Sequence, residues 1–127
     1  MLSFINANEE KKWNEIVRSF KNYDIYHLLD YLRAFQIHGD GEPLLIFYED
    51  NSFRAMNVVM KRDISLENRF KDVIPKDTYF DITTPYGYGG FIIEGSKTVN
   101  NFERFANVYS EACNKNNIIS EFVRFHP

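Results

Sequence analysis

The stretch from residue 100 to residue 125 constrains the fold more than any other part of this 127-residue chain. Apolar residues recur at helical spacing from Asn100 to Cys113 and predict an amphipathic helix with Asn100 as its N-terminal cap. The β-branched and aromatic run at 118–125 is typical of a strand in the centre of a sheet. A strand, a helix and a further strand in this order imply a right-handed crossover and at least one parallel strand pair. The sequence therefore predicts a mixed α/β sheet.

The residues before this stretch predict two helices among several strands, without an internal repeat. The predicted elements are a strand at 2–5, a helix capped by Asn8, a helix from Ile25 to about Gly39, strands at 44–48, 53–60 and 79–83, the helix at 100–113 and the strand at 118–125. The order is β-α-α-β-β-β-α-β. We assign residues 1–127 to one lobe of the α/β class with a mixed sheet.

The charge and the cysteine content narrow the classes of function. A net charge of -3 and a pI near 5.6 argue against a protein that binds nucleic-acid backbones without sequence preference. The single cysteine, Cys113, lies on the apolar helical stripe and is predicted to be an inert core thiol. The chain shows neither a signal-peptide pattern nor an apolar run of the ~20 residues that span a membrane. These features predict a cytoplasmic protein.

A segment rich in glycine and tyrosine follows the strand at 79–83. It comprises Pro85, Tyr86, Gly87, Tyr88, Gly89 and Gly90. Its glycines permit positive φ and close backbone approach, so its N–H groups could bind an anion or a carbonyl oxygen. Its tyrosines would offer rings and hydroxyls to a ligand. The alternative is a structural turn with tyrosines packed over it. No Gly-Lys-Ser/Thr follows, so the segment is not a nucleotide-binding phosphate loop.

Two basic residues alternate at the end of the last predicted strand. Arg124 and His126 would point to the same face, at the strand end where open α/β sheets hold ligands. The alternative pairs Arg124 with a carboxylate such as Asp81 and leaves His126 merely exposed. For Arg62, at the end of an earlier strand, a surface ion pair is expected.

These segments together resemble the FemAB-like transferases, a group related to the GNAT acyltransferases. In that family a strand leads to a glycine-containing loop, a helix and a strand ending in Arg-x-[Asp/His]-Pro. Residues 84–90, the helix at 100–113 and residues 122–127, which end in Arg-Phe-His-Pro, follow the same order. The resemblance spans nearly the whole chain. It implies a truncated, partial GNAT-like fold that forms the N-terminal lobe of a longer two-lobe protein.

The resemblance also implies a function. The whole protein would transfer an acyl or aminoacyl group to the amine of an acceptor such as a peptidoglycan precursor, and the present lobe alone would be inactive. The donor would be aminoacyl-tRNA or acyl-CoA, with any tRNA contact on the missing C-terminal lobe. No other cofactor and no metal are implied. Six residues would bind substrate, namely Tyr86, Gly87, Tyr88, Gly89, Gly90 and Arg124. His126 would be the base that accepts the amine proton.

Two other functions fit the same residues. One is a structural GNAT-like lobe without a ligand of its own, which supports a catalytic partner lobe. The other is an acetyl-CoA-dependent N-acetyltransferase. A GNAT acyl-CoA site has Gln/Arg-x-x-Gly-x-Gly/Ala directly before a helix, where N–H groups meet the pyrophosphate. This chain has Thr84 at the first position and further residues before the helix, which argues against acetyl-CoA binding.

Overall fold

The computed structural model describes residues 1–125, which form a six-stranded mixed sheet with helices on both faces. The strands are β1 (Leu2–Asn6), β2 (Glu42–Glu49), β3 (Phe53–Asp63), β4 (Phe80–Thr83), β5 (Ile92–Gly95) and β6 (Ile118–Phe122). The helices are α1 (Glu10–Ser19), α2 (Leu29–His38) and α3 (Val99–Lys115). Short 3₁₀ turns lie at Ala7–Glu9, Ile25–His27 and Ile64–Leu66. The predicted α/β class with a mixed sheet is confirmed, and the observed order contains one more strand, β5, than predicted.

Strand β3 organises the sheet because it has different partners along its length. One side pairs with β2 in antiparallel fashion. On the other side, the first half pairs with β5, from Phe53 to Met56, and the second half pairs with β4, from Met60 to Asp63. Residues 57–59 have no strand partner on that side within the described part of the chain. The sheet therefore splits between β4 and β5.

Strand β6 lies at the edge of the sheet, beyond β4. It pairs with β4 in parallel, which confirms the predicted parallel pair. The prediction that this strand is central was wrong, because Ile118 is its only buried residue while Ile119 and Phe122 are 60% and 58% exposed. A β-branched and aromatic composition indicates that a segment forms a strand. It does not indicate whether that strand lies at the centre or at the edge of the sheet.

The two faces of the sheet are covered by different helices. Helices α1 and α2 cover one face, where Trp13 of α1 and Leu32 of α2 pack with Leu45 and Met56 of the sheet. Helix α3 covers the other face, where its Phe105 packs against side chains of β2 and β3. This separation follows from the alternation of side chains along each strand. The sheet thus has an α1–α2 face and an α3 face.

The helix starts differ slightly from prediction. Asn6, rather than Asn8, occupies the cap before the 3₁₀ turn that leads into α1, in a capping box with Glu9. Thr98, rather than Asn100, caps α3, since its side chain accepts a hydrogen bond from the Asn101 amide. In each case a capping residue lies two positions earlier than predicted.

Candidate functional site

The glycine- and tyrosine-rich segment lies at the split in the sheet. It leaves β4 after Thr83 and reaches β5 at Ile92, so it crosses between the two partners of β3. The hydroxyl of Tyr31, on α2, donates a 2.8 Å hydrogen bond to the carbonyl oxygen of Tyr86. The segment is therefore held on the α1–α2 face of the sheet.

The glycines of this segment allow close contact with the chain beyond β6. Gly87 and Gly90 have φ of +107° and +112°, in the region that glycine adopts readily. A Cβ on Gly90 would lie 3.1 Å from the Phe125 ring. The Gly89 N–H donates a 2.8 Å hydrogen bond to the Arg124 carbonyl. The glycines thus permit close packing as predicted, but the Gly89 N–H has a partner within the chain and is not open to a ligand.

A cleft of about 750 Å³ lies away from this segment, beside Asn6 and Gly41. The segment itself lines a smaller cleft of about 360 Å³, which we name the tyrosine cleft. Its lining residues are Asn22, Asp24, Tyr26, His27, Tyr88, Gly89, Gly90, Phe91, Ile92 and Phe125. One wall is the connection between α1 and α2, and the opposite wall is the segment together with Phe125.

Local hydrogen bonds fix the α1–α2 wall of the tyrosine cleft. Asp24 Oδ1 accepts from the Ile25 amide at 2.6 Å, and His27 Nδ1 accepts from the Asp24 amide at 3.0 Å. The indole N–H of the fully buried Trp13 donates to the His27 carbonyl at 2.9 Å. The wall is therefore a 3₁₀ turn closed at both ends and anchored to the core.

The lining of the tyrosine cleft is aromatic and bears little charge. The rings of Tyr26, Tyr88 and Phe125 are 43%, 48% and 70% exposed. Asp24 is the one carboxylate, and no lysine or arginine is among the lining residues that the structure describes. This arrangement suits a ligand with apolar or cationic groups and offers no counter-charge to a phosphate.

The predicted substrate-binding residues are distributed over two cavities. Tyr88, Gly89 and Gly90 line the tyrosine cleft. Tyr86 lines a separate cavity of about 260 Å³, together with Arg62. Gly87 lies between them, and a Cβ there would be 3.8 Å from the Tyr31 hydroxyl.

The two basic residues predicted for the site have different outcomes. Arg124 contributes its carbonyl oxygen, while its exposed side chain is not part of the cleft lining. Alternation explains this, because Val123 and Phe125 are the neighbours that face Gly90. His126 lies outside the described residues. The alternative pairing of Arg124 with Asp81 is wrong, since Asp81 accepts hydrogen bonds of 2.7 and 2.6 Å from Arg62. The surface ion pair expected for Arg62 is confirmed.

A polar pair lies on the α3 face, away from the cleft. The Tyr109 hydroxyl donates to Glu121 Oε2 at 3.0 Å, and burial raises the pKa of both groups. Burial also raises the pKa of the half-buried Cys113 thiol next to Tyr109. A raised pKa keeps the thiol protonated at neutral pH, in agreement with the predicted inert role.

The α1–α2 wall is the part of the site that sequence reasoning missed. The available signal was Asp24-x-x-His27 with Tyr23 and Tyr26, in a break between two amphipathic helices. An acidic residue followed three positions later by a side chain that returns to its amide is a capping pattern. Nothing in the sequence placed this turn opposite Tyr88.

Comparison with known proteins does not identify a relative. No protein-family model, curated protein or solved structure matches the chain. Across residues 1–125, no helix has the length and apolarity to cross a membrane, and no cluster of histidine, cysteine, aspartate or glutamate side chains could hold a metal ion. The fold and the cleft define the chain as a mixed α/β protein with an aromatic cleft in which Asp24 is the carboxylate among the described lining residues.

Proposed function

We propose that this chain is one lobe of an acyl- or aminoacyl-transferase of the FemAB-like, GNAT-related group, and that the tyrosine cleft holds the amine acceptor. The main support for this proposal is the position of the glycine- and tyrosine-rich segment, which lines a cleft where β3 changes its strand partner. The order of segment, helix α3 and parallel strand β6 supports the same assignment. A peptidoglycan precursor with a free amine is the acceptor that the resemblance implies.

The chemistry requires two substrates and a proton acceptor. The amine nitrogen attacks the carbonyl carbon of an ester or thioester, an amide bond forms, and the RNA hydroxyl or the CoA thiol departs. The amine proton passes to a base, and most of the acceleration comes from holding both substrates in position. The resemblance assigns the base to His126, which lies outside the described residues. Within the tyrosine cleft, the carboxylate that an acceptor would meet is Asp24.

The donor would bind away from the tyrosine cleft. Both proposed donors, aminoacyl-tRNA and acyl-CoA, carry several phosphates, which proteins recognise with arginine, lysine or free backbone N–H groups. Among the described residues, the cleft lining contains no arginine or lysine, and the Gly89 N–H is already bonded to the Arg124 carbonyl oxygen. We therefore propose that donor contacts lie on the second lobe of such a transferase.

A binding experiment with two tyrosine variants tests this function. Thermal shifts of the chain would be recorded with a muropeptide precursor, acetyl-CoA and aminoacyl-tRNA. Only the muropeptide is expected to raise the melting temperature. The shift should disappear in Tyr88→Ala and persist in Tyr86→Ala, because Tyr88 lines the cleft and the exposed Tyr86 ring lies elsewhere. Equal loss in both variants, or a shift with acetyl-CoA alone, would refute the acceptor assignment.

The second candidate is a structural lobe without a ligand. It is favoured by the hydrogen bond from Gly89 to Arg124 and by the packing of Phe125 on Gly90, which close the segment against the chain beyond β6. This candidate predicts no thermal shift with any of the three ligands. It also predicts that Tyr88→Ala leaves the activity of a whole transferase unchanged.

A further inference from the structure

We infer that the tyrosine cleft binds its ligand as an alkylammonium cation, with Asp24 as the counter-ion and the rings of Tyr26, Tyr88 and Phe125 around the charge. The identity of this cleft as the acceptor site rests on the proposed function. The preference for a cation follows from the lining residues alone.

Asp24 provides a carboxylate oxygen for this role. The Asp24 side chain accepts hydrogen bonds from the Ile25 amide, at 2.6 Å to Oδ1, and from the His27 amide. Because a carboxylate can accept about four hydrogen bonds, acceptor positions remain for an ammonium group. The hydrogen bond between the Asp24 amide and His27 fixes the backbone around this carboxylate. No lysine or arginine is among the described lining residues, so Asp24 is the carboxylate that an entering ammonium group would meet there.

The aromatic side chains provide the second attraction. The face of an aromatic ring is negative, so it attracts an ammonium group within about 6 Å of the ring centre. Tyr26 comes from the α1–α2 wall, whereas Tyr88 and Phe125 come from the opposite wall. The Tyr26 ring is held by an edge contact with Tyr31, at 4.9 Å between centroids and 83° between planes. Rings on both walls with one carboxylate form the combination that selects alkylammonium over anions.

The remaining lining fits the uncharged part of such a ligand. The Phe91 ring packs against Phe105 and Tyr109 of α3. Ile92 is partly buried and lines the cleft beside Tyr88 and Phe125. An aliphatic stem, such as the one that carries the amine of a lysine side chain, can pack on these groups while its charged end stays near Asp24. The inferred ligand class is therefore a primary or methylated alkylammonium with a short apolar stem.

Titration with matched ligands tests the cation preference. The 127-residue chain would be titrated with Nα-acetyl-lysine methylamide, and the binding followed by NMR shifts of the Tyr88–Gly90 amides. The control ligand is the same molecule acetylated on Nε, which keeps the stem and removes the charge. We expect binding of the charged ligand to be about tenfold tighter and to weaken as salt is raised.

Two protein variants locate the charge and the rings. Asp24→Asn keeps a capping side chain for Ile25 and removes the charge, so it should weaken ammonium binding about threefold to tenfold. The matched control is Asp30→Asn, whose 85% exposed carboxylate lies outside the cleft and should not matter. Phe125→Leu removes one ring without disturbing the Asp24 turn and should also weaken binding. If circular dichroism shows that Asp24→Asn is unfolded, the Phe125→Leu variant still tests whether the cleft binds the ammonium group.

Each outcome separates this inference from the proposed function. Equal affinity for both ligands, no binding of either, or unchanged affinity in both cleft variants overturns the ammonium site. Ammonium binding without a muropeptide shift supports the site and counts against the transferase. A muropeptide shift that survives acetylation of its amine supports the transferase and overturns the ammonium site.

Discussion

The hydrogen bond from Tyr31 to Tyr86 links helix α2 to the segment that lines the tyrosine cleft. In Tyr31→Phe a single oxygen is removed. The ring contacts with Tyr26 and Phe35, at centroid distances of 4.9 and 5.1 Å, can remain. The effect of the substitution is therefore the loss of one 2.8 Å hydrogen bond.

The magnitude follows from the position of this bond. A neutral hydrogen bond contributes a net ~0.5–1.5 kcal/mol to stability. The Tyr86 carbonyl lies next to solvent and can bond to water instead, so the lower part of the range applies, about 0.5–1 kcal/mol. For a domain of this size the melting temperature should fall by roughly 2–5 °C. If the loss is local to the segment, exchange of the Gly89 amide should accelerate about twofold to fivefold.

The matched control is Tyr26→Phe. The neighbouring Tyr26 hydroxyl makes no hydrogen bond within residues 1–125, so its removal should leave both stability and Gly89 exchange unchanged. Stability would be measured by urea unfolding, and exchange by hydrogen–deuterium exchange with NMR detection. Equal losses in the two variants, or unchanged Gly89 protection in Tyr31→Phe, would refute the role of Tyr31 in holding the segment.

Two further predictions concern stability away from the cleft. Hydrogen bonds from Tyr48, the Ser52 amide and Arg104 hold the pKa of Asp50 well below its ordinary value. The stabilisation by this carboxylate is therefore complete above the unfolded pKa of about 3.9 and is lost as the pH falls through the lower folded pKa. Asp50→Asn should lower the free energy of unfolding at pH 7 and flatten its decline towards pH 3 in urea titrations, whereas an unchanged decline would contradict this role. Gly95 and Gly39 both have φ of +99°, but a Cβ on Gly95 would overlap the Ser52 carbonyl oxygen whereas one on Gly39 meets open space. Gly39→Ala should cost about 1 kcal/mol and Gly95→Ala clearly more in thermal unfolding, and equal costs would exclude the overlap.

The elements with strong periodicity were predictable from sequence. The apolar stripe around Phe105 predicted α3, and the run after it predicted a strand parallel to an earlier one. The stripe that includes Trp13 and Val17 likewise predicted α1. These signals are local, since a helix buries residues that are three and four positions apart.

The missed features depend on contacts between distant parts of the chain. Strand β5 has only four residues, and it is defined by pairing with Phe53–Met56, about forty positions earlier. The wall of the tyrosine cleft around Asp24 faces Tyr88, more than sixty positions later. Neither of these long-range contacts can be predicted from a single sequence. The sequence predicted one wall of the cleft, the glycine- and tyrosine-rich segment, whereas the opposite wall is brought to it by the tertiary fold.

The pairing of β4 with β6 has a consequence for the order of folding. The β2–β3 hairpin closes over the short turn from Glu49 to Phe53, whereas Thr84 and Phe122 meet across 38 positions. Closing a longer loop costs more chain entropy, so the hairpin is expected to form early and β6 to dock late. Phe125 follows β6 and forms part of the cleft wall. We therefore expect the wall of the cleft that contains Phe125 to form late in folding, after β6 has docked on β4.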